Sequence, residues 1–379
     1  MESAFLPMKD LLRVAEEASL YKSPAAIGAF NVNFYAQAEG ILEGLKRANS
    51  PGIIQASKGA CKFQGGPEHI KAMLINAMQG INEKIPLSLH LDHGNLESTI
   101  DCINKGFSGV MIDASELSEI ENIALSGEVA RIAHKNGVSV EGEYGRLMGV
   151  EEDIESRVAV YADPLFVPVF FDRSGVDALA IAYGTSHGPN KGNPSALDTS
   201  IVEKSYKMMK TSGQNLEHFL VGHGSSTVPK DLVDEINTYG GNLTDASGIP
   251  MDKIKEAIRY GLRKVNIDTD LRLGITGIFR KYLFEENPGA EEDSYALRLV
   301  KKVFTGETPS NVDPEKITDP RSYLQPIMDS HPEMLRRDYR KSDDEAFREV
   351  MQRVKNRVAN HVEYLAKEFG SYDLNKKLN

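Results

Sequence analysis

The sequence predicts an α/β protein: an eight-stranded parallel (β/α)8 barrel of the TIM-barrel type, with a C-terminal helical extension. Three observations carry that expectation. Apolar strand-like runs recur eight times between residues 27 and 268. Helix-length amphipathic stretches lie between them. Polar residues able to do chemistry gather at the C-terminal ends of the runs, where this architecture carries its active sites.

The runs are residues 27–33, 52–57, 85–92, 109–113, 138–143, 178–183, 219–222 and 264–268. The clearest helical stretches are 36–48, 67–78, 119–136 and 251–260. Start signals are Asp113 and Ser115 before one helix, and Pro250 followed by Asp252 before another. Lys105-Gly106, Asn136-Gly137 and Tyr260-Gly261 end helices ahead of the next strand. An open doubly wound sheet is the competing architecture. It predicts a GxGxxG turn after the first strand, and the sequence has none there.

Past Phe284 the alternation stops, and Asn287-Pro288-Gly289 begins a linker. The expected division is a catalytic barrel over residues 1–285 and a mostly helical extension over 286–379, packed on the barrel or on a partner subunit. Within the extension, residues 343–369 read as one long helix. Phe347, Val350, Val354, Val358, Val362 and Leu365 form its apolar stripe, and its Lys and Arg form a solvated face.

The 379 residues are 41% hydrophobic and 26% charged, enough for a sizeable core. A net charge of −11 without a basic run argues against a nucleic-acid partner. An anionic substrate therefore needs local cations or helix N-termini. Two cysteines, Cys61 and Cys102, form no disulfide framework or CxxC spacing and read as free thiols of a reducing compartment. No basic, apolar leader opens the chain and no apolar run approaches a membrane span. A cytoplasmic protein without a membrane partner is expected. A symmetric homo-oligomer, dimer or tetramer, is the default assembly.

Three runs end in histidine: His90-Leu91-Asp92-His93-Gly94, Gly184-Thr185-Ser186-His187-Gly188 and Gly222-His223-Gly224-Ser225-Ser226. A single histidine in a strand is usually a core or surface residue. Three in one context, each at a strand end followed by glycine, point to a catalytic Zn²⁺ with an open coordination position. Co²⁺ or Mn²⁺ are possible substitutes at such a site. Asn33, Ser57, Asp92, Asp113, Glu141, Glu143, Asn266 and Asp268 occupy other strand ends, although turn preference alone accounts for Asn33, Ser57 and Asp113. Asp92 is adjacent to His93, so both reach one site only if the strand ends or kinks there. It is either an orienter of a histidine or an acid/base on the substrate. Residues 141–153 combine a strand end, a glycine-rich turn and an acidic cluster, as expected of a mobile loop that carries a carboxylate over the mouth. Gly188, Gly224, Ser225, Ser226 and Thr269 follow the late strands, where barrels bind phosphate through backbone N–H groups and hydroxyls.

With these motifs the sequence resembles the class II, metal-dependent fructose-bisphosphate aldolases, in the form found in carbon-fixing bacteria that also cleaves sedoheptulose bisphosphate. The resemblance runs from residue 8 to about 280 and continues weakly beyond. It is also carried by Gly28-Ala29-Phe30-Asn31-Val32-Asn33, Met111-Ile112-Asp113-Ala114-Ser115, Glu141-Gly142-Glu143-Tyr144-Gly145-Arg146-Leu147 and Lys264-Val265-Asn266-Ile267-Asp268-Thr269-Asp270-Leu271-Arg272. It departs from relatives at Pro189-Asn190-Lys191, where an aromatic usually precedes the lysine, and at Gly222, where a bulkier residue is common.

The resemblance implies a lyase of glycolysis and gluconeogenesis that reversibly cleaves fructose 1,6-bisphosphate. It implies His93, His187 and His223 as zinc ligands, with Glu143 able to join them. Asp92 matches the acid/base at the aldehyde oxygen. Glu151, or its neighbour Glu152, matches the loop base that exchanges the C1 proton of dihydroxyacetone phosphate, and Asn266 a contact to the enediolate. Gly188, Lys191, Ser225, Asp268 and Thr269 match the grip on the first phosphate and on a monovalent cation, Na⁺ or K⁺. Asn33 and Ser57 match contacts to the rest of the substrate, and Arg321 a residue that reaches the second phosphate in a partner subunit. A Schiff-base route is disfavoured because Lys264 lies at the start of its strand, away from the mouth. Tagatose- or sedoheptulose-bisphosphate cleavage, and zinc-dependent hydrolysis on the same barrel, are the competing activities.

Overall fold

The computed structural model describes residues 4–81, 85–146, 149–151, 154–156, 160–186, 188–190, 196–308 and 312–377, without the side chains of 149–151, 154–156, 376 and 377. Eight parallel strands close into a barrel. They are β1 (Ile27–Asn31), β2 (Gly52–Ser57), β3 (Leu87–Gly94), β4 (Gly109–Ile112), β5 (Ser139–Tyr144), β8 (Ala178–Ile181), β9 (Phe219–Gly222) and β10 (Leu262–Ile267). The remaining two, β6 (Gly149–Glu151) and β7 (Ile154–Ser156), pair antiparallel as a hairpin outside the barrel. Neighbours follow chain order, and β10 closes the ring on β1 with Lys264 opposite Ile27 and Asn266 opposite Ala29.

All eight barrel strands are buried along their whole length. Helices cover the outside while side chains fill the inside, so each strand reads as a continuous apolar run. Several limits differ from the expected ones by about two residues: β1 ends at Asn31, β3 runs Leu87–Gly94 and β8 ends at Ile181. β10 begins at Leu262, before the expected start, because Arg263 is buried against Glu16 (Nε to Oε2, 2.5 Å). One helix start also moves. Ser118, and not Asp113 or Ser115, caps Glu119–Lys135 in a reciprocal box with Glu121.

The N-terminal end of the barrel is filled by hydrocarbon. Helix Met8–Tyr21 presents Met8, Leu11, Leu12, Ala15 and Ala18 to a cluster containing Ile27, Ala29, Ile53, Ala178, Phe219 and Val221. Lys9 fastens the helix to the barrel, its Nζ 3.2 Å from Asp177 Oδ1.

The long C-terminal helix runs Glu345–Glu368, its N-terminus capped by Asp344. The six apolar residues expected to face the core are all buried. Helix Tyr35–Arg47 lies against it so closely that a Cβ on Gly40 would fall 2.7 Å from Val358 Cβ, and one on Gly44 2.6 Å from the Ala359 carbonyl. Only glycine fits this backbone approach. Helix Thr269–Lys281 packs on the same long helix, so the tail spans the outside of the first and last barrel strands. Cys61 and Cys102 are buried free thiols. Among the described residues no helix is long and apolar enough to cross a membrane.

Candidate active site at the barrel mouth

The end of β3 is kinked as the adjacency of Asp92 and His93 requires. His93 adopts φ +50°, and the register of β3 against β4 shifts between Leu91 and Gly94. A non-glycine residue in the left-handed region carries strain, held here by the surrounding structure. The kink brings both side chains to one interior cluster.

Each described histidine of that cluster is backed by a carboxylate. His93 Nδ1–H donates to Asp113 Oδ2 at 2.9 Å, from the end of the neighbouring strand. His223 Nε2–H donates to Glu141 Oε1 at 2.7 Å. These contacts fix both tautomers, because a carboxylate only accepts. The other two nitrogens, His93 Nε2 and His223 Nδ1, then face each other at 3.0 Å. Two imidazole lone pairs so placed repel unless a cation lies between them, and two ligands of one tetrahedral ion at roughly 2.1 Å sit about 3.4 Å apart. The donor atoms of Asp92, His93 and His223 lie within 4.8 Å of one another, and so do those of His93, Asp113 and Glu143. Glu143 Oε2 is 3.7 Å from His223 Nδ1 and 3.9 Å from His93 Nδ1. This donor set can hold a divalent metal ion, with carboxylates orienting its imidazoles from behind.

The charges beneath the mouth are mutually compensated. Glu141 Oε2 lies 2.8 Å from Lys264 Nζ and 3.4 Å from His90 Nε2, and all three side chains are fully buried. Burial pushes the Glu141 carboxyl up, but Lys264, His223 and His90 outweigh it and hold the group well below the usual carboxylate range. Burial pushes His223 and His90 down, which keeps the imidazoles neutral, the metal-binding form. For Asp113, burial acts upward, and the contacts to His93 and Ser115 overcome it to leave the carboxyl far below its ordinary value.

Asp92 is held from three strands. Its Oδ2 accepts from Asn31 Nδ2 (3.0 Å) and Gln55 Nε2 (3.1 Å), and its Oδ1 from Asn266 Nδ2 (3.2 Å). Asn33 is buried beside Gln37 and Gln64, its backbone carbonyl accepting from Gln64 Nε2 at 2.6 Å. Ser57 caps helix Lys58–Gln64, its Oγ accepting from Ala60 N–H at 3.1 Å. Gly224 has φ +59°, and a Cβ there would meet the Ser186 carbonyl at 2.4 Å, so the backbones of the loops after β9 and β8 approach as closely as glycine allows. Ser225 Oγ is buried against the Gly222 and His223 carbonyls, and Ser226 Oγ accepts from Asp268 N–H at 3.3 Å. Thr269 opens helix Thr269–Lys281. Gly188 is described, with φ +79°.

His187, Lys191 and Glu152 lie outside the described residues, as does the side chain of Glu151, whose backbone ends β6. Arg321 does not stand alone. Its Nη2 is 2.7 Å from Asp319 Oδ2, Arg272 Nη1 is 3.0 Å from the same oxygen, and Arg272 also pairs with Asp268. Arg321 is thereby tied to the strand end that carries Asp268.

Several participants escaped the sequence reading. Asp113 had a sufficient explanation as a turn residue, yet it is the partner of His93. The available signal was that its strand follows β3 directly. Asn31, Gln55 and His90 lie inside apolar runs. Lys264 is not at the extreme end of its strand: it is the third residue of β10 and lies inside the barrel, paired with Glu141 beneath the histidines.

Comparison with known proteins agrees over nearly the whole length. The family model for fructose-bisphosphate aldolase class-II matches residues 7–372. A fructose-bisphosphate aldolase of Giardia intestinalis is 39% identical over 331 residues, covering 87% of this chain and 91% of that protein. Fructose-bisphosphate aldolase 2 of Cereibacter sphaeroides is 34% identical over 352 residues, covering 86% and 88%. Among solved structures, the fructose-bisphosphate aldolase of Campylobacter jejuni matches with TM-score 0.63 at 21% identity, over 98% of this chain and 97% of that one. At that identity the structural match speaks to the fold.

Proposed function

Because this chain belongs to the class II fructose-bisphosphate aldolase family and is an aldolase of that kind, we propose how its own residues divide the work of reversibly cleaving fructose 1,6-bisphosphate into dihydroxyacetone phosphate and glyceraldehyde 3-phosphate. The observation that supports the division best is the His93–His223 pair, nitrogens 3.0 Å apart with a carboxylate behind each ring, beside the triply held Asp92.

His93, His223 and His187 are the ligands of a divalent ion, zinc by the chemistry of the donor set, with Glu143 placed to join them. When bound, the ion acts as a Lewis acid on the substrate carbonyl, contributing on the order of several kcal/mol to the transition state. Asp113 and Glu141 orient the imidazoles. Asp92 takes the proton from the C4 hydroxyl as the C3–C4 bond breaks, and returns it in the condensation direction. Asn31, Gln55 and Asn266 aim its carboxylate. Glu151, or Glu152, moves the proton at C1 of dihydroxyacetone phosphate. Ser225, Ser226, Gly188, Lys191 and Thr269 take the first phosphate, with Asp268 holding a monovalent cation beside it. Asn33 and Ser57 line the path of the remaining carbons, and Arg321 takes the second phosphate. The barrel of residues 1–285 is the catalytic unit, 286–379 its buttress, and the enzyme works in the cytoplasm as a homo-oligomer.

Chelation tests this directly. EDTA abolishes turnover, added zinc restores it, and borohydride traps no substrate on the protein. A covalent adduct on Lys264 or any other lysine rejects the assignment. Relative kcat/KM on fructose, tagatose and sedoheptulose bisphosphates decides among the sugars.

A further inference from the structure

The loop after β9 is anchored from an unexpected direction. Val228 sits at φ +46°, a conformation that a β-branched residue adopts only under constraint. Much of the constraint is a single buried carboxylate, Asp270, on the first turn of helix Thr269–Lys281. Its Oδ2 accepts from Thr227 N–H (3.0 Å) and Thr227 Oγ1–H (2.8 Å), and its Oδ1 from Val228 N–H (2.7 Å). From the far side His361, on helix Glu345–Glu368, brings Nε2 within 3.4 Å of Asp270 Oδ2. The tail therefore reaches across 91 residues of sequence to the carboxylate that shapes this loop. His361 is only partly covered. It lines a groove of about 460 Å³ between helices Lys230–Thr238, Thr269–Lys281 and Glu345–Glu368.

We propose that His361 is a positioning residue for the Ser225–Val228 loop, acting through Asp270. The proposal rests on the reading of Ser225, Ser226 and Thr269 as the grip on the first phosphate. At its start the loop is held by Ser225 Oγ on the Gly222 and His223 carbonyls, and at its middle Ser226 Oγ accepts from Asp268 N–H while the Ser226 carbonyl accepts from Ile249 N–H at 3.1 Å. Asp270 supplies the remaining anchor at the C-terminal end, and it accepts four contacts with two oxygens. Removing the one from His361 takes away the contact that holds the carboxylate from the side of the tail, so its aim on Thr227 and Val228 rests on the loop's own hydrogen bonds. The chain His361–Asp270–Thr227/Val228 is a contiguous hydrogen-bonded path to the phosphate grip, and it touches neither the metal ligands nor Asp92.

The test compares wild type, His361→Ala and His361→Gln. The glutamine keeps an N–H donor of similar reach. Two quantities are read: KM and kcat for fructose 1,6-bisphosphate, and the dissociation constant of inorganic orthophosphate by calorimetry. In His361→Ala both KM and the orthophosphate constant rise about 3- to 30-fold, the range for coupling through such a path, while kcat and metal content hold. His361→Gln recovers most of the loss. Unchanged KM and orthophosphate binding in His361→Ala overturn the inference, as does a fall in kcat and thermal midpoint with KM unmoved, which marks a staple for the tail alone. Wild-type protein that neither binds orthophosphate nor cleaves the bisphosphate overturns the functional reading and this inference with it. Wild type that does both, with His361→Ala matching it, overturns only the inference.

Discussion

The two ends of one barrel are built on opposite principles. At the N-terminal end the strands open on Ile27, Ala178 and Phe219, which pack under the amphipathic helix Met8–Tyr21. At the C-terminal end the same strands lead into Asp92, His93, Glu143, His223 and Asn266, all buried, with Glu141 beneath them. Both ends are buried, and what differs is the balance: the floor is mainly hydrocarbon, edged by the Lys9–Asp177 and Arg263–Glu16 pairs, whereas the mouth is mainly reciprocal charge. A few residues along a strand change its task from holding the fold to doing chemistry. Buried charge stabilises poorly compared with hydrocarbon, so the mouth is carried by the floor.

The sharpest way to break this comparison is to alter one residue at each end. Asp92→Ala lowers cleavage of the bisphosphate by about 10²–10⁴-fold, the usual cost of losing an acid/base, while metal analysis still finds near one ion per chain. Loss of the metal in that variant makes Asp92 structural. At the floor, Phe219→Ala costs about 3–5 kcal/mol in denaturant unfolding, while kcat of the folded fraction stays that of wild type. A matching fall in kcat erases the division between the ends.

The rim gives a smaller, pH-dependent effect. Burial raises the Asp319 carboxyl, but Arg272 and Arg321 overcome it and hold it at about 2. The unfolded group titrates near 3.9, so the folded form gains from this pairing above that pH and loses the gain as pH falls toward 2. Asp319→Asn therefore destabilises by about 1–2 kcal/mol at neutral pH, and the difference from wild type narrows below about pH 4. A gap that is constant from pH 7 to 3, read from urea midpoints, refutes the ion-pair account.

The floor was legible in the sequence and the mouth only in part, for one reason. Hydrocarbon burial leaves a pattern, and the eight apolar runs correspond to the eight barrel strands, with limits that differ by up to about two residues, at β10 because Arg263 is buried by pairing. The histidines could be picked out because glycine and a strand end surround each. Their partners could not. Asp113 and Glu141 look like ordinary strand ends, and what makes them partners is which strand stands beside which. Lys264 looked remote from the chemistry because position along a strand says nothing about what lies across the barrel. The contact of His361 with Asp270 has no local signature, since neither residue carries information about a partner 91 positions away.

Helix Met8–Tyr21 has one more consequence. With this hydrocarbon stopper in place the N-terminal end of the barrel offers no passage among the described residues, so ketose and trioses alike are left the opposite face as their doorway.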